Sequence, residues 1–237
     1  MGSVWFKWQN PQDQLLILQT RYDRVFKTAG WWNEDEETKC ILGDRDEKTG
    51  GTLLGCSKKG RVAFLVDVTS FTNAGAELLT VKFLKGKMTP KEFAREIAED
   101  KNLSLGLTFY LVVADIHSKS MVYISKNSPN KEIDEINYDV GPGFYSITSA
   151  GINNLTSPEN KRLEDEFSEI LSECENRELP MKVFVDKLVS DDTSHDKGQD
   201  GYYNGITMLV VKPTGKANLY ERYLENHKFS FDIEKLE

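Results

Sequence analysis

The sequence predicts an α+β fold, a four-layer αββα sandwich of two antiparallel sheets faced with helices. Three observations carry that prediction. Apolar periodicity changes along the chain in blocks, in the order strands, two helices, strands, two helices, strands. Short turn-like stretches separate the strands within a block, and connections that short join antiparallel neighbours. Each sheet and each helix pair has an apolar face that only another layer can cover, and two facing sheets with helices outside cover all of them. For the same reason residues 1–237 read as one domain, with no internal repeat or low-complexity linker.

In chain order, "VWFKW" (4–8) and "LLILQ" (15–19) are strand-like on either side of the turn "QNPQD". "TLLGCS" (52–57) and "RVAFLVDV" (61–68) form a hairpin around "KKG". "AELLTVKFLKG" (76–86) is helical with a broad apolar face. In "TPKEFAREIAED" (89–100), Thr89 is an N-cap, Pro90 the first helical residue and Glu92 the closing member of a capping box. Strands follow over 107–115, 120–126, 132–137 and 144–150. The next helix starts at Pro158 with Ser157 as its cap, and Leu163, Phe167, Ile170, Leu171 and Cys174 keep one face. A further helix, "PMKVFVDKLVS", is apolar at Met181, Phe184, Val185 and Leu188. The acidic stretch 191–200 precedes three closing strands, "ITMLVVK", "ANLYERY" and "KFSFDI".

A 39% hydrophobic content supports a real core, and the formal net charge of -8 argues against nucleic acid, whose phosphates need a basic footprint. Mean hydropathy is -0.49, and no apolar run approaches the roughly 20 residues of a membrane span. No signal peptide opens the chain. A soluble, cytoplasmic protein is the expectation. Cys40, Cys56 and Cys174 are an odd set without CxxC spacing, which indicates reduced thiols and no structural zinc. His117, His195 and His227 are scattered and read as solvated. "GDRDEKTGG" (43–51) lacks the spacing of a phosphate-binding loop and reads as a turn. Asp191, Asp192, Asp196 and Asp200 are not spaced as a calcium loop, so no metal is expected. Trp31 and Trp32 are adjacent and on an extended segment point to opposite faces.

The opening "MGSVWFKW" is built as a strand from its first residues, where chain ends fray unless tied down. In some enzymes the residue exposed by removal of Met1 is the nucleophile, and its own α-amine, with a pKa of about 7.7–8.0, is the base. That chemistry demands an ordered strand starting at residue 2, where this chain has Gly2. Met-Gly also begins the N-myristoylation motif, but Phe6 stands where the motif wants Ser or Thr.

The segments "LLILQTRYDRVFKTAGWW", "ILGDRDEKTGGTLLGCSKKGRVAFLVDV", "GPGFYSITSA" and "GYYNGITMLVVKPTGKANLYERY" follow one another in an order that resembles the Transport and Golgi organisation protein 2 family, also called NRDE proteins. The resemblance runs from Met1 to about Phe231. Its most specific piece is "GDRDEKTGGTLLGCSKKGRVAFL", which is similar to the family's G-x-D-x-x-x-G-G-T-W-L-G-x-S-x-x-G-x-x-A-x-L pattern. The Trp31-Trp32 pair resembles the plant members. The resemblance implies the αββα fold of N-terminal nucleophile hydrolases and a Met-Cys start, in which Gly2 replaces the nucleophilic Cys. The family's Asn-Arg-Asp-Glu falls on Thr20, Arg21, Tyr22 and Asp23, its Thr-Asn on Val66 and Asp67, and its Leu-Ser-Asn-Ala on Ile147, Thr148, Ser149 and Ala150. Its late Gly-Thr-Arg-Ser falls near 204–207 without the arginine.

These positions have degenerated together, so the resemblance implies a pseudoenzyme. Ser3 does not replace the nucleophile, because its nitrogen lies in a peptide bond and alternation turns it to the other face of the strand. The expected function is non-catalytic and belongs to intracellular trafficking: Golgi organisation, protein secretion, or carriage of haem or another small amphipathic ligand. Such a ligand would meet Trp5, Arg21, Tyr22, Trp31 and Trp32, with His117, His195 and Cys40 as axial candidates for haem. Secretory-pathway proteins are the expected macromolecular partners, the 191–200 loop a contact for them, and Golgi or mitochondrial association the implied refinement of a cytoplasmic location. The alternative is an amidohydrolase with a rearranged site using Arg21, Asp23 and Asp67.

Overall fold

The apolar runs that open the chain are continuous because the strands they form are covered on both sides. In β1 (Ser3–Trp8), Val4, Phe6 and Trp8 face one apolar cluster and Trp5 faces another. In β2 (Leu15–Arg21), Leu15 and Ile17 join the first cluster and Leu16 and Leu18 the second. Alternation of side chains across the pleat makes this split, and a strand buried on both faces loses the polar half of the pattern. The structure is a computed structural model that describes residues 2–10, 12–21, 26–32, 36–67, 75–155, 157–173, 180–192, 205–223 and 228–233.

The remaining strands are β3 (Phe26–Trp31), β4 (Ile41–Asp46), β5 (Leu54–Ser57), β6 (Arg61–Asp67), β7 (Phe109–Asp115), β8 (Ser120–Lys126), β9 (Glu135–Asn137), β10 (Gly143–Thr148), β11 (Gly151–Ile152), β12 (Gly205–Val211), β13 (Ala217–Tyr223) and β14 (Lys228–Ile233). They form two sheets. The first has the order β11-β10-β1-β2-β12-β13-β14 and the second β3-β4-β5-β6-β7-β8-β9. Pairing is antiparallel throughout both. Between the sheets lies the cluster that contains Phe6, Trp8, Leu42, Phe64, Val112 and Leu209. Outside the second sheet, α1 (Glu77–Lys85) and α2 (Pro90–Glu99) pack Phe83 and Phe93 against Leu65 and Leu111. The short α3 (Lys101–Ser104) follows α2. Outside the first sheet, α4 (Pro158–Glu173) and α5 (Met181–Asp192) pack Phe167 and Phe184 against Trp5 and Met208. This is the four-layer αββα sandwich that the periodicity predicts.

The helix starts follow the sequence signals. Thr89 Oγ1 accepts from the Glu92 amide, and the Glu92 carboxylate accepts from the Thr89 amide at 2.8 Å, with Pro90 in the first turn. Ser157 Oγ accepts from the Asn160 amide at 3.0 Å. Leu188, Cys174 and the 193–200 part of the acidic loop lie outside the residues whose side chains are described.

Three strands escape the sequence pattern: β3, β4 and the two-residue β11. β3, "FKTAGW", carries small residues and a register shift between Lys27 and Gly30. β4, "ILGDRD", corrects the expectation of a turn over 43–51: it is strand as far as Asp46, and the turn covers 47–49. Asp46 Oδ1 closes that turn by accepting from the Lys48 and Thr49 amides at 2.8 and 2.9 Å, and Gly50 supplies a φ of 76°. The helical turn of α3 has no counterpart in the sequence pattern, and the strand expected over 132–137 is formed only by β9. Among the described residues no helix is long and apolar enough to cross a membrane, and no group of three or more His, Cys, Asp or Glu side chains could hold a metal ion.

Candidate functional site

Position 2 lies just before β1, on the inter-sheet side shared by Val4, Phe6 and Trp8. Its neighbour Ser3 faces the helix layer, where its hydroxyl donates to Asn160 Oδ1 at 3.0 Å. The backbone of β2 runs close beside Gly2. A Cβ added there would meet the Thr20 carbonyl oxygen at 2.1 Å and the Arg21 Cα at 3.6 Å. No side chain fits that space unless β2 moves. Thr20 turns away: its Oγ1 accepts from the Ser3 amide at 3.1 Å.

Arg21 ends the inner face of β2 that Leu15 and Ile17 begin. It is 3% exposed, and its guanidinium is shared among three strands. One nitrogen donates to Asp44 on β4 across the sandwich; another donates to Thr207 on β12 and to Glu221 on β13. Both carboxylates are buried, at 2% and 0% exposure. Asp44 also accepts from Thr52 Oγ1, and Glu221 accepts from the Ala29 amide at 2.7 Å and from Thr207 Oγ1 at 3.0 Å. One step of the pleat earlier, Gln19 Nε2 donates to the Leu65 carbonyl at 3.0 Å. The two sheets are therefore tied together at this end by buried polar bonds, and at the other end by apolar packing.

Sequence reasoning missed Gln19, Asp44, Thr52 and Glu221, and reached Thr207 only as the last position of the 204–207 segment that resembles the family's Gly-Thr-Arg-Ser. A signal existed: each of Gln19, Asp44, Thr207 and Glu221 occupies the position where alternation from Ile17, Leu42, Leu209 and Leu219 calls for another core residue. A polar residue on a core face must find a buried partner, and these find one another.

The other expected site residues scatter. Ser149 is exposed in the turn from β10 to β11; the register Val4 opposite Ile147 carries that turn to the same end as position 2. Asp67 closes β6 opposite Phe109, and its side chain is outside the described residues, as are Tyr22, Asp23 and His195. The aromatic candidates do not share a wall. Trp5 is fully buried against the α4–α5 layer, Trp31 is half-buried on the inter-sheet side, and Trp32 is buried on the outer face of the second sheet with its Nε1 donating to the Gly43 carbonyl at 3.1 Å. Strand alternation separates them: Trp31 and Trp32 point oppositely, as adjacency requires.

His117 is exposed in the β7–β8 turn beside Gly60. That turn lies next to the Arg61–Asp115 pair, a strand's length from the Asp67–Phe109 end where Gln19 and Arg21 sit. Cys40 lies on the helix side of the second sheet, in contact with its outer cluster. Cys56 does face the inter-sheet core, but burial pushes its thiol up to about 12, so it stays protonated and unreactive. The described residues at position 2 thus offer one neutralised guanidinium, hydroxyls and amides, and no activated nucleophile.

A family model described as Transport and Golgi organisation 2 matches residues 1–220 of the chain. A curated relative, the Transport and Golgi organization protein 2 homolog of Bos taurus, is 26% identical over 182 residues, which is 75% of this chain. The chain spans 63% of that relative's length. Among solved structures, a mutant of conjugated bile acid hydrolase from Clostridium perfringens aligns with a TM-score of 0.49 and 9% identity, over 98% of this chain and 92% of that one. The Caenorhabditis elegans orthologue of N-acylethanolamine-hydrolyzing acid amidase aligns with a TM-score of 0.44 and 16% identity, over 89% of this chain and 92% of that one.

Proposed function

We propose that this chain, which belongs to the Transport and Golgi organisation 2 family, serves intracellular trafficking as a non-catalytic protein. The observation that carries the reading is at position 2. Glycine supplies no nucleophile, and the 2.1 Å approach of the Thr20 carbonyl to an added Cβ leaves no room for one. The neighbouring charges support it. Arg21 is held by Asp44 and Glu221, so its charge is already neutralised and is poorly placed to stabilise a developing oxyanion.

The family name supports a role in Golgi organisation or secretion, and the finer expectation is binding of a small amphipathic cargo, haem among the candidates. Secretory-pathway proteins are the partners that role implies. No described histidine or cysteine reaches the position-2 region, so cargo held there would rest on apolar and hydrogen-bond contacts rather than on axial ligation.

The test uses the whole protein with a panel of N-acyl amides and aryl esters and an electrophilic amide probe. The expected result is release at the rate of buffer alone and no covalent labelling. Turnover that disappears in Arg21→Ala, in protein shown to be folded, overturns the reading and establishes the rearranged amidohydrolase. A haemin titration of the same protein examines the cargo: absence of a saturable Soret change removes haem from the candidates.

A further inference from the structure

A concavity lies on the helix side of the second sheet, bounded by residues 36–40, the start of β6 and the corner between α1 and α2. Its volume is about 610 Å³, the size of a small-molecule pocket, typically about 300–1,000 Å³. Six cationic side chains line it against three carboxylates, on a protein whose net charge is -8. Three of the cations are matched: Lys39 pairs with Glu36, Lys82 with Glu96 at 3.0 Å and Lys85 with Glu37 at 3.0 Å. The other three, Lys59, Arg61 and Lys87, make no ion pair among the described residues.

Arg61 is the unusual member. It is 5% exposed, and its guanidinium carbon lies 3.8 Å from the centre of the Phe83 ring. Its Nε donates to the Phe83 carbonyl at 2.8 Å; that carbonyl also accepts from the Gly86 amide at 3.1 Å. Stacking and this bond fix the plane of the fork. Its Nη2 is buried and has no acceptor among the described residues. That nitrogen has no surface open to the groove, so Arg61 brings to it a fixed positive charge and the small exposed remainder of its fork; Asp115, its partner across β6 and β7, attracts that charge without forming an ion pair. Beside Arg61 the groove offers the exposed apolar side chain of Met88, while Phe93, also in its lining, is almost wholly buried.

We propose that this groove binds a small organic phosphate monoester. Lys59 and Lys87, together with the charge of Arg61, hold the dianionic headgroup, and exposed Met88 receives the apolar body. A permanently charged arginine flanked by exposed lysines suits phosphate, which lysine binds as a point charge. The site is separate from position 2 and independent of whether that region is catalytic.

The test is titration of the intact protein with 1-naphthyl phosphate, followed by calorimetry and by protection of Cys40, which lines the same groove, from a thiol reagent. Saturable binding is expected, with protection of Cys40 and an affinity about tenfold weaker in Lys59→Ala/Lys87→Ala. Both lysines lie on the surface, so that variant folds and keeps the test decisive; Arg61→Met is read beside it wherever it folds. Equal binding of 1-naphthol, unchanged affinity in the double variant, or no saturation each overturns the proposal. Vesicles of phosphatidylcholine containing phosphatidic acid separate the two sources of the same headgroup chemistry. A protein that stays in the supernatant supports a soluble ligand. Co-sedimentation lost in the double variant assigns the groove to a lipid headgroup and overturns the small-molecule form.

Discussion

Replacing Arg21 by Met tests whether the polar network at position 2 is a structural tie. The side chain is 3% exposed and stands between two carboxylates exposed by 2% and 0%. Removing the cation leaves Asp44 and Glu221 buried without their main compensation. Breaking a buried pair in this way costs about 3–5 kcal/mol. For a protein of this size the urea dependence of stability is about 3 kcal/mol per molar, so the midpoint of unfolding should fall by roughly 1–1.7 M. Tryptophan fluorescence reads the transition, because Trp5 and Trp8 are fully buried. The triple variant Arg21→Met/Asp44→Asn/Glu221→Gln is the control. It removes all three charges while the new amides still accept from Thr52 Oγ1 and the Ala29 amide, as the carboxylates do. It should regain at least about half of the loss, since a neutralised network no longer carries uncompensated charge. A midpoint shift under about 0.3 M for Arg21→Met, or a triple variant no more stable than the single one, refutes the reasoning.

Gly2→Cys should lower stability by about 1–3 kcal/mol, because β2 must move to admit the side chain, and should create no amidase activity; unchanged stability in urea would show that β2 yields freely. Cys56, with its thiol pushed up to about 12 by burial, should resist alkylation at pH 8 while half-buried Cys40 is modified, as peptide mass mapping will show. Because its folded pKa is raised, the stability Cys56 contributes is complete below its ordinary value of 9.0 and is lost as pH rises towards 12. Thr89→Ala should cost about 1 kcal/mol by removing the cap of α2. The Glu92 carboxyl is held below its ordinary value, first by the hydrogen bond from the Thr89 amide and then by that from its hydroxyl. The stability it contributes is present above the usual glutamate range of about 4.3 and is lost as pH falls through its lower folded value; in Thr89→Ala its titration, followed by NMR, should move upward.

The parts of the fold that are legible in the sequence are those whose order is local. The capping box of α2 and the apolar runs of β1 and β2 depend on residues within a few positions of one another, and they sit where periodicity places them. β4 reads as a turn because its inner face carries Asp44 after Leu42 rather than a second apolar residue, and what satisfies Asp44 is an arginine 23 positions away. Glu221 meets the same arginine across 200 positions. No window of sequence contains both partners, so Asp44 reads as turn, and Glu221, though inside the expected strand "ANLYERY", gives no sign of what it pairs with. The aromatic pocket expected around Trp5, Trp31 and Trp32 meets a different obstacle. Trp5 lies on β1 of the first sheet and Trp31 at the end of β3 in the second, and alternation turns Trp32 away from Trp31, so the three reach three different layers.

Arg21 shows how far a motif position can inform function. It is the one residue of the Asn-Arg-Asp-Glu signature that this chain retains, and taken alone it invites a catalytic reading. Its environment argues otherwise. A guanidinium that stabilises a reacting oxyanion needs free donors aimed at open space beside the nucleophile. Here donors go to Asp44, Thr207 and Glu221, and position 2 opposite is closed by backbone. The same bonds join β2, β4, β12 and β13 into one end of the sandwich, a use that persists when no reaction takes place there. These bonds give Arg21 a structural use that does not depend on any reaction.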